Sequence, residues 1–177
     1  MRIGPDLVTA RLRLRPLVTA DAEAVRRLWI ERDPRVPAAR RIDEDGRPTV
    51  EDLAQSLAEQ RAEADAAGFG LMAVESRDSV EFLGYCGLIV GGASAAEPEI
   101  AFELCSQAHG VGYATEAARA VTTAAQSAGL PRLWASVREW NAPSFRVLEK
   151  VGFSDSGLRD PDPVHGDTVW MRKHLQP

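Results

Sequence analysis

Lysine is nearly absent from this chain. Lys150 and Lys173 are the only lysines among 21 basic residues, and 26 acids leave a formal charge of −5. A general nucleic-acid binder shows a basic face, so that class is not expected. Cysteine is as scarce. Cys86 and Cys105 sit in separate apolar runs with no C-x-x-C pair, and the histidines His109, His165 and His174 are scattered. Neither a disulfide framework nor a zinc site is expected, and no metal cofactor. No apolar run reaches the roughly 20 residues of a membrane-spanning helix. Met1 to Thr9 lacks the apolar segment of a signal peptide. The expectation is a cytoplasmic protein with reduced thiols that binds neither nucleic acid nor membrane.

What is present suits one domain, residues 1–177, with 45% apolar content for its core. Arg11, Arg13 and Arg15 alternate with Leu12 and Leu14, which predicts a half-buried strand. Thr19 reads as the N-cap of a first helix carrying Val25, Leu28 and Trp29. Glu31 to Arg47 shows no period and reads as a loop with one short helical turn. Thr49, with Asp52 three residues on, opens a second helix that Gly68 ends. Phe69–Glu75 and Glu81–Val90 read as a hairpin, and Glu99–Cys105 as the next strand. A third helix over Ala114–Ala128 stops at Gly129 and Pro131, followed by a strand at Arg132–Glu139. Pro143 opens a fourth helix, which Gly152 ends. Phe153–Leu158 and Thr168–His174 close the chain as strands. This order predicts an α+β fold, with helices on both faces of one sheet of about seven strands.

The most informative stretch lies between the Glu99 strand and the third helix: Gln107-Ala108-His109-Gly110-Val111-Gly112-Tyr113-Ala114-Thr115-Glu116. Glycines at a strand-to-helix turn let backbone approach a ligand, because they carry no Cβ. The first helical amides have no internal partner and sit at the positive end of the dipole, a ready site for a diphosphate. The third glycine of G-x-G-x-x-G is missing, since Thr115 stands there, and so is the P-loop Lys-Ser/Thr pair. Dinucleotide or nucleoside-triphosphate binding is therefore disfavoured.

The pattern Gln-x-x-Gly-x-Gly, with GYATEA after it and NAPSFRVLEKVGF further on, resembles the GNAT N-acetyltransferases. The string EIAFELCSQAHGVGYATEA is most similar to the branch that includes the ribosomal-protein N-terminal acetyltransferases. The resemblance implies the GNAT fold, a central mixed, mostly antiparallel twisted sheet. The fourth and fifth of the seven strands would splay into a V that holds the pantetheine arm of acetyl-CoA. It implies backbone pairing of that arm with Leu104, Cys105 and Ser106. It places the pyrophosphate on the amides of His109, Gly110, Val111, Gly112, Tyr113 and Ala114, with Gln107 at the head of the motif and Thr115 offering a hydroxyl. Asn141 would contact the arm, and Ser144 would reach toward the sulfur. The family's tyrosine acid falls at Leu148, which leaves Ser144, or a water it holds, to protonate the leaving thiolate.

Attack by an amine also needs its proton removed. Glu99 and Glu103 share one face of a strand, since the side-chain period is two. The EIAF register at Glu99 resembles the strand that bears the glutamate base in the histone acetyltransferase branch, which makes Glu99 the first candidate, and Glu103 is the second. Trp140 and Tyr85 are candidate linings of the acceptor pocket. The expected activity is acetyl-CoA-dependent N-acetylation of a primary amine, either a protein N-terminus or a small molecule. The alternative is a non-catalytic acyl-CoA sensor with a degenerate site. The partner expected is the amine acceptor, and a homodimer is compatible with the reading.

Overall fold

The computed structural model describes residues 3–4 and 6–175. In chain order the elements are β1 (Leu7–Val8), β2 (Leu12–Pro16), α1 (Ala22–Ile30), α2 (Val50–Ala67), β3 (Leu71–Ser76) and β4 (Phe82–Ile89). There follow β5 (Glu99–Leu104), α3 (Tyr113–Ser127), β6 (Arg132–Arg138), α4 (Ala142–Lys150), β7 (Ser154–Asp160) and β8 (Thr168–His174). The strands form one sheet of eight in the order β1-β2-β3-β4-β5-β6-β8-β7. The strand beyond the expected seven is β1. Its two residues are too few to show an alternation, and it exists through its pairing of Leu7 with Leu14 and Val8 with Arg13.

The alternation in β2 works as a strand pattern should. Leu12 and Leu14 are fully buried, and Arg15, next after Leu14, faces the other way to pair with Asp21 and Glu75. That network corrects the first helix start. Asp21, not Thr19, is the N-cap of α1, and a 3-10 turn over Thr19–Asp21 precedes it. The Asp21 carboxylate accepts from the Val18 amide at 2.9 Å and from both terminal nitrogens of Arg15. The helix start is thus set by Asp21 reaching back to the Val18 amide, with Arg15 on the same carboxylate. At α2 the local signal holds. Thr49 and Asp52 cap each other reciprocally, and Gly68 ends the helix in the left-handed conformation at φ 82°.

Each face of the sheet has its own core. On one, Ala117, Ala118, Val121 and Ala125 of α3 lie on Leu14, Val74, Cys86, Leu88 and Ile100, with Leu148 and Val151 from the end of α4 in the same cluster. The small α3 side chains let the helix approach the sheet closely. On the other face, Ala22 and Val25 of α1 and Leu53 and Leu57 of α2 pack over Ala73.

The sheet's one parallel pairing, β5 with β6, positions the site. Its register consists of a single pair, Glu99 with Trp134, backed by the Trp134 amide donating to the Pro98 carbonyl at 3.0 Å. Meanwhile β5 pairs with β4 over six residues and β6 with β8 over seven. Each strand follows its own antiparallel partner, and the two part beyond Glu99. The Cys105 amide donates to the Leu83 carbonyl at 2.8 Å. In an antiparallel ladder such pairs recur at every second residue. Glu103 and Ala101 therefore aim their backbone at β4, while Phe102 and Leu104 aim theirs into the gap.

Candidate functional site

The turn from β5 into α3 is fastened at both ends. Near β5, the Leu104 carbonyl lies 2.8 Å from His109 Nε2. A carbonyl only accepts, so that ring nitrogen carries the hydrogen. The Ser106 amide donates to Glu31 Oε2 at 2.8 Å, and Gln107 Nε2 donates to Glu81 Oε1 at 2.7 Å. The Cys105 and Ser106 carbonyls accept from Ala108 and His109. The carbonyls of both residues are thus engaged within the turn and their amides on Leu83 and Glu31, and Leu104 supplies the edge that faces the gap. Burial, reinforced by the charge of Glu31, raises the Cys105 thiol above its ordinary value.

Gly110 and Gly112 both have positive φ, 78° and 87°. These are left-handed conformations that other residues adopt only with strain. A Cβ added to Gly110 would meet nothing within 4 Å, and one added to Gly112 would lie 3.5 Å from Arg11 Nη2. Gly112 is also the N-cap of α3 and supplies no side-chain cap. Among the described residues, no hydrogen bond engages the amides from Gly110 to Thr115, and the first return bond of the helix is Glu116 N–H to the Gly112 carbonyl. These open donors sit where the helix dipole is positive.

Arg11 steadies this turn, and the sequence reading missed it by treating Arg11 as one of three solvent-facing arginines. Its Nη1 donates to the Val111 carbonyl at 2.9 Å, its Nε to Glu116 Oε2 at 2.7 Å, and its guanidinium lies 4.6 Å from the centre of the Tyr113 ring. Thr9 donates to the other Glu116 oxygen at 2.6 Å. Partial burial works to raise the Glu116 carboxyl, but the bonds from Thr9 and Arg11 hold it below its ordinary value. Glu116 therefore anchors the β1–β2 turn to α3. At the start of α4, the Asn141 side chain caps the helix by accepting from the Ser144 amide at 3.3 Å. Leu148 is buried in the core, 1% exposed.

Glu99 and Glu103 lie on the opposite face of β5 from Ile100, Phe102 and Leu104. Glu99 is 3% exposed. Its Oε1 accepts from the Gly92 amide at 2.6 Å and its Oε2 from the Ser136 hydroxyl at 2.7 Å. Glu103 is engaged on both oxygens by Arg32, at 2.8 and 2.6 Å, and Tyr85 donates its hydroxyl to the same carboxylate. Burial first, and then the Glu103 charge, push the Tyr85 phenol well above its ordinary value, so it stays protonated and donates. Burial pulls the Arg32 guanidinium down, yet its bonds to Glu103 keep it above its ordinary value.

Arg32 also donates to the Arg40 carbonyl and lies 3.9 Å from the Trp29 ring centre. Arg35 lies 4.2 Å from the centre of Trp140, just past the end of β6. The segment from Glu31 to Thr49 is thus pinned to β5 at one point and beside β6 at another, and it crosses the mouth of the gap. It has the expected short helical turn, at Ala38–Arg40. Arg32→Ala would leave a carboxylate without its partner. The expected loss of stability is about 3 kcal/mol, read as a lower denaturant midpoint, with faster proteolysis between Glu31 and Thr49.

The model of the acetyltransferase (GNAT) domain family matches residues 11–154. The chain belongs to the GNAT acetyltransferase family. It is 28% identical over 166 residues to the uncharacterized N-acetyltransferase p20 of Bacillus licheniformis, covering 92% of this chain and 90% of that one. Among solved structures it is similar to an acetyltransferase from Agrobacterium tumefaciens, at 28% identity and TM-score 0.74, covering 97% of this chain and 95% of that one. It is also similar to Mycobacterium smegmatis RimJ in complex with CoA-disulfide, at 26% identity and TM-score 0.76, covering 97% and 86%. The GNAT fold and the likeness to the ribosomal-protein branch agree with the sequence reading.

GNAT acetyltransferases take their acetyl group from acetyl-CoA, and the chain is an acyltransferase. The residues present fit that co-substrate. Gly110 leaves open space where a side chain would stand, the amides after it are open donors, and the edge of β5 faces a gap beside them.

Proposed function

We propose that this protein acetylates a primary amine by direct transfer from acetyl-CoA, with no covalent enzyme intermediate. One observation carries the reading: β5 and β6 share a single register pair. The gap so formed has the glycine turn at one end and, where the strands begin to part, the buried Glu99 bonded to the exposed Ser136. Acetyl-CoA supplies the acetyl thioester.

The chain's residues have separable tasks in this reading. The amides from Gly110 to Thr115 hold the diphosphate, and the Thr115 hydroxyl adds a donor. Gln107 and His109 brace the turn. The Leu104 amide pairs with the pantetheine arm while its carbonyl accepts from His109, and Cys105 and Ser106 shape the turn beneath it. Asn141 orients the first turn of α4, where Ser144 presents a hydroxyl to the leaving sulfur in place of the absent tyrosine. The Phe102 amide, which also faces the gap, stabilises the developing oxyanion. Glu99 accepts the amine proton. Glu103 is the weaker candidate, because donors from Arg32 and Tyr85 already occupy its carboxylate.

The acceptor is a protein N-terminus or a small amine such as a polyamine. It enters on the face crossed by the Glu31–Thr49 segment, whose arginines suit a peptide carbonyl or carboxylate. The test is thiol release from acetyl-CoA with a panel of N-terminal peptides and polyamines, read with the product mass. An acetyl adduct on an amine is expected. Tight acetyl-CoA binding with no release on any amine would instead support the sensor reading that Leu148 keeps open.

A further inference from the structure

Glu99 cannot itself meet an acceptor. It is 3% exposed, and the turn after β4 closes over its Oε1. A Cβ on Gly91 would fall 2.2 Å from that oxygen, and one on Gly92 would fall 3.0 Å from the Trp170 ring. The other oxygen, Oε2, is bonded to the Ser136 hydroxyl at 2.7 Å. Ser136 is exposed although it sits mid-strand in β6, between buried Ala135 and Val137. It lies two residues beyond the last β5–β6 pair, where the strands have begun to part, and Trp170 stands opposite it on β8. Among the described residues, this hydroxyl is the one side-chain group that links the buried carboxylate to the open face.

We infer that Ser136 is a catalytic residue that relays the acceptor's proton to Glu99. This rests on Glu99 being the proton acceptor of the acyl transfer. The balance is simple. An ammonium N–H gives its proton to Ser136 Oγ as the Ser136 hydroxyl proton passes to Glu99 Oε2. Serine ends with one proton, Glu99 ends as a neutral acid, and the nitrogen is left with the free lone pair that attack consumes. The relay lets a buried carboxylate serve a substrate it never touches.

The test compares the unsubstituted protein with Ser136→Ala and Ser136→Thr. Two acceptors serve as probes: alaninamide, largely an ammonium at neutral pH, and methoxyamine, neutral at the same pH. Acetyl-CoA affinity is measured alongside by calorimetry. Ser136→Ala is expected to lower kcat/KM for alaninamide about tenfold at neutral pH, where about one tenth of an α-amine is neutral, to leave methoxyamine transfer nearly unchanged and to leave acetyl-CoA affinity unchanged. Ser136→Thr, which keeps the hydroxyl on a residue suited to a strand, is expected to restore most of the alaninamide rate. An equal loss on both amines, or no rescue by threonine at unchanged affinity, would overturn the relay. If the unsubstituted protein binds acetyl-CoA but transfers to neither amine nor to any of the peptide and polyamine panel, the transfer reading itself fails.

Discussion

Gly112→Asp is expected to weaken acetyl-CoA binding about a hundredfold while the protein stays folded. The position is the N-cap of α3 at φ 87°, beside the open amides, so an added carboxylate stands next to the diphosphate. Two unit charges about 5 Å apart at an effective dielectric of 20 repel by about 3 kcal/mol, and each 1.4 kcal/mol is about a factor of ten in affinity. The carboxylate would also draw the donors and Arg11 toward itself. Gly112→Ala separates charge from backbone strain. It should cost about 1–2 kcal/mol of stability, because a Cβ is unfavourable in the left-handed region, yet it should keep most of the affinity. Calorimetry and thermal melts on both variants read the two effects apart. Affinity retained in Gly112→Asp would remove the diphosphate from this turn.

The second large effect is on turnover. Glu99→Gln should lower the rate about tenfold at pH 7 and about 100-fold at pH 6, where only about one α-amine in a hundred is neutral, and leave acetyl-CoA affinity intact. The fold should survive, because the amide oxygen can still accept from Gly92 while its NH2 donates to the Ser136 hydroxyl. The sign with pH follows from the acceptor. An α-amine has a pKa of about 8, so ever less of it is neutral as pH falls. Without the base, the rate should track that neutral fraction and drop tenfold per pH unit below about 8. The defect is therefore widest in acid and narrows as pH rises past the amine's own pKa. A uniform offset across pH would take the proton-accepting role away from Glu99.

The parts legible in the sequence were those with local causes. The Gly110-Val111-Gly112 turn, the Thr49–Asp52 cap and the Gly68 stop are all fixed by residues within a few positions of one another, and each was found. The missed features depend on contacts between distant segments. Thr19 is the exception, a local signal left unread: Asp21 reaches back to the Val18 amide three residues away and closes a 3-10 turn ahead of α1. Glu31–Thr49 shows no period because its placement comes from Arg32 on Glu103 and Arg35 on Trp140, contacts that leave no periodic trace. Arg11 looked like its neighbours Arg13 and Arg15 until the fold brought Val111 and Glu116 to it. Ser136 is a lone serine in an apolar alternation, and its partner Glu99 lies 37 residues away. The parting of β5 from β6 was foreseeable only through the family resemblance, since neither strand's sequence encodes it.

The most direct measurement is calorimetric titration of the purified protein with acetyl-CoA, with NADH and ATP as controls. The account predicts micromolar binding of acetyl-CoA at one site per chain and no heat from either control. No binding of acetyl-CoA, or equal binding of ATP, would contradict it and would reduce the glycine turn to a structural connection between β5 and α3.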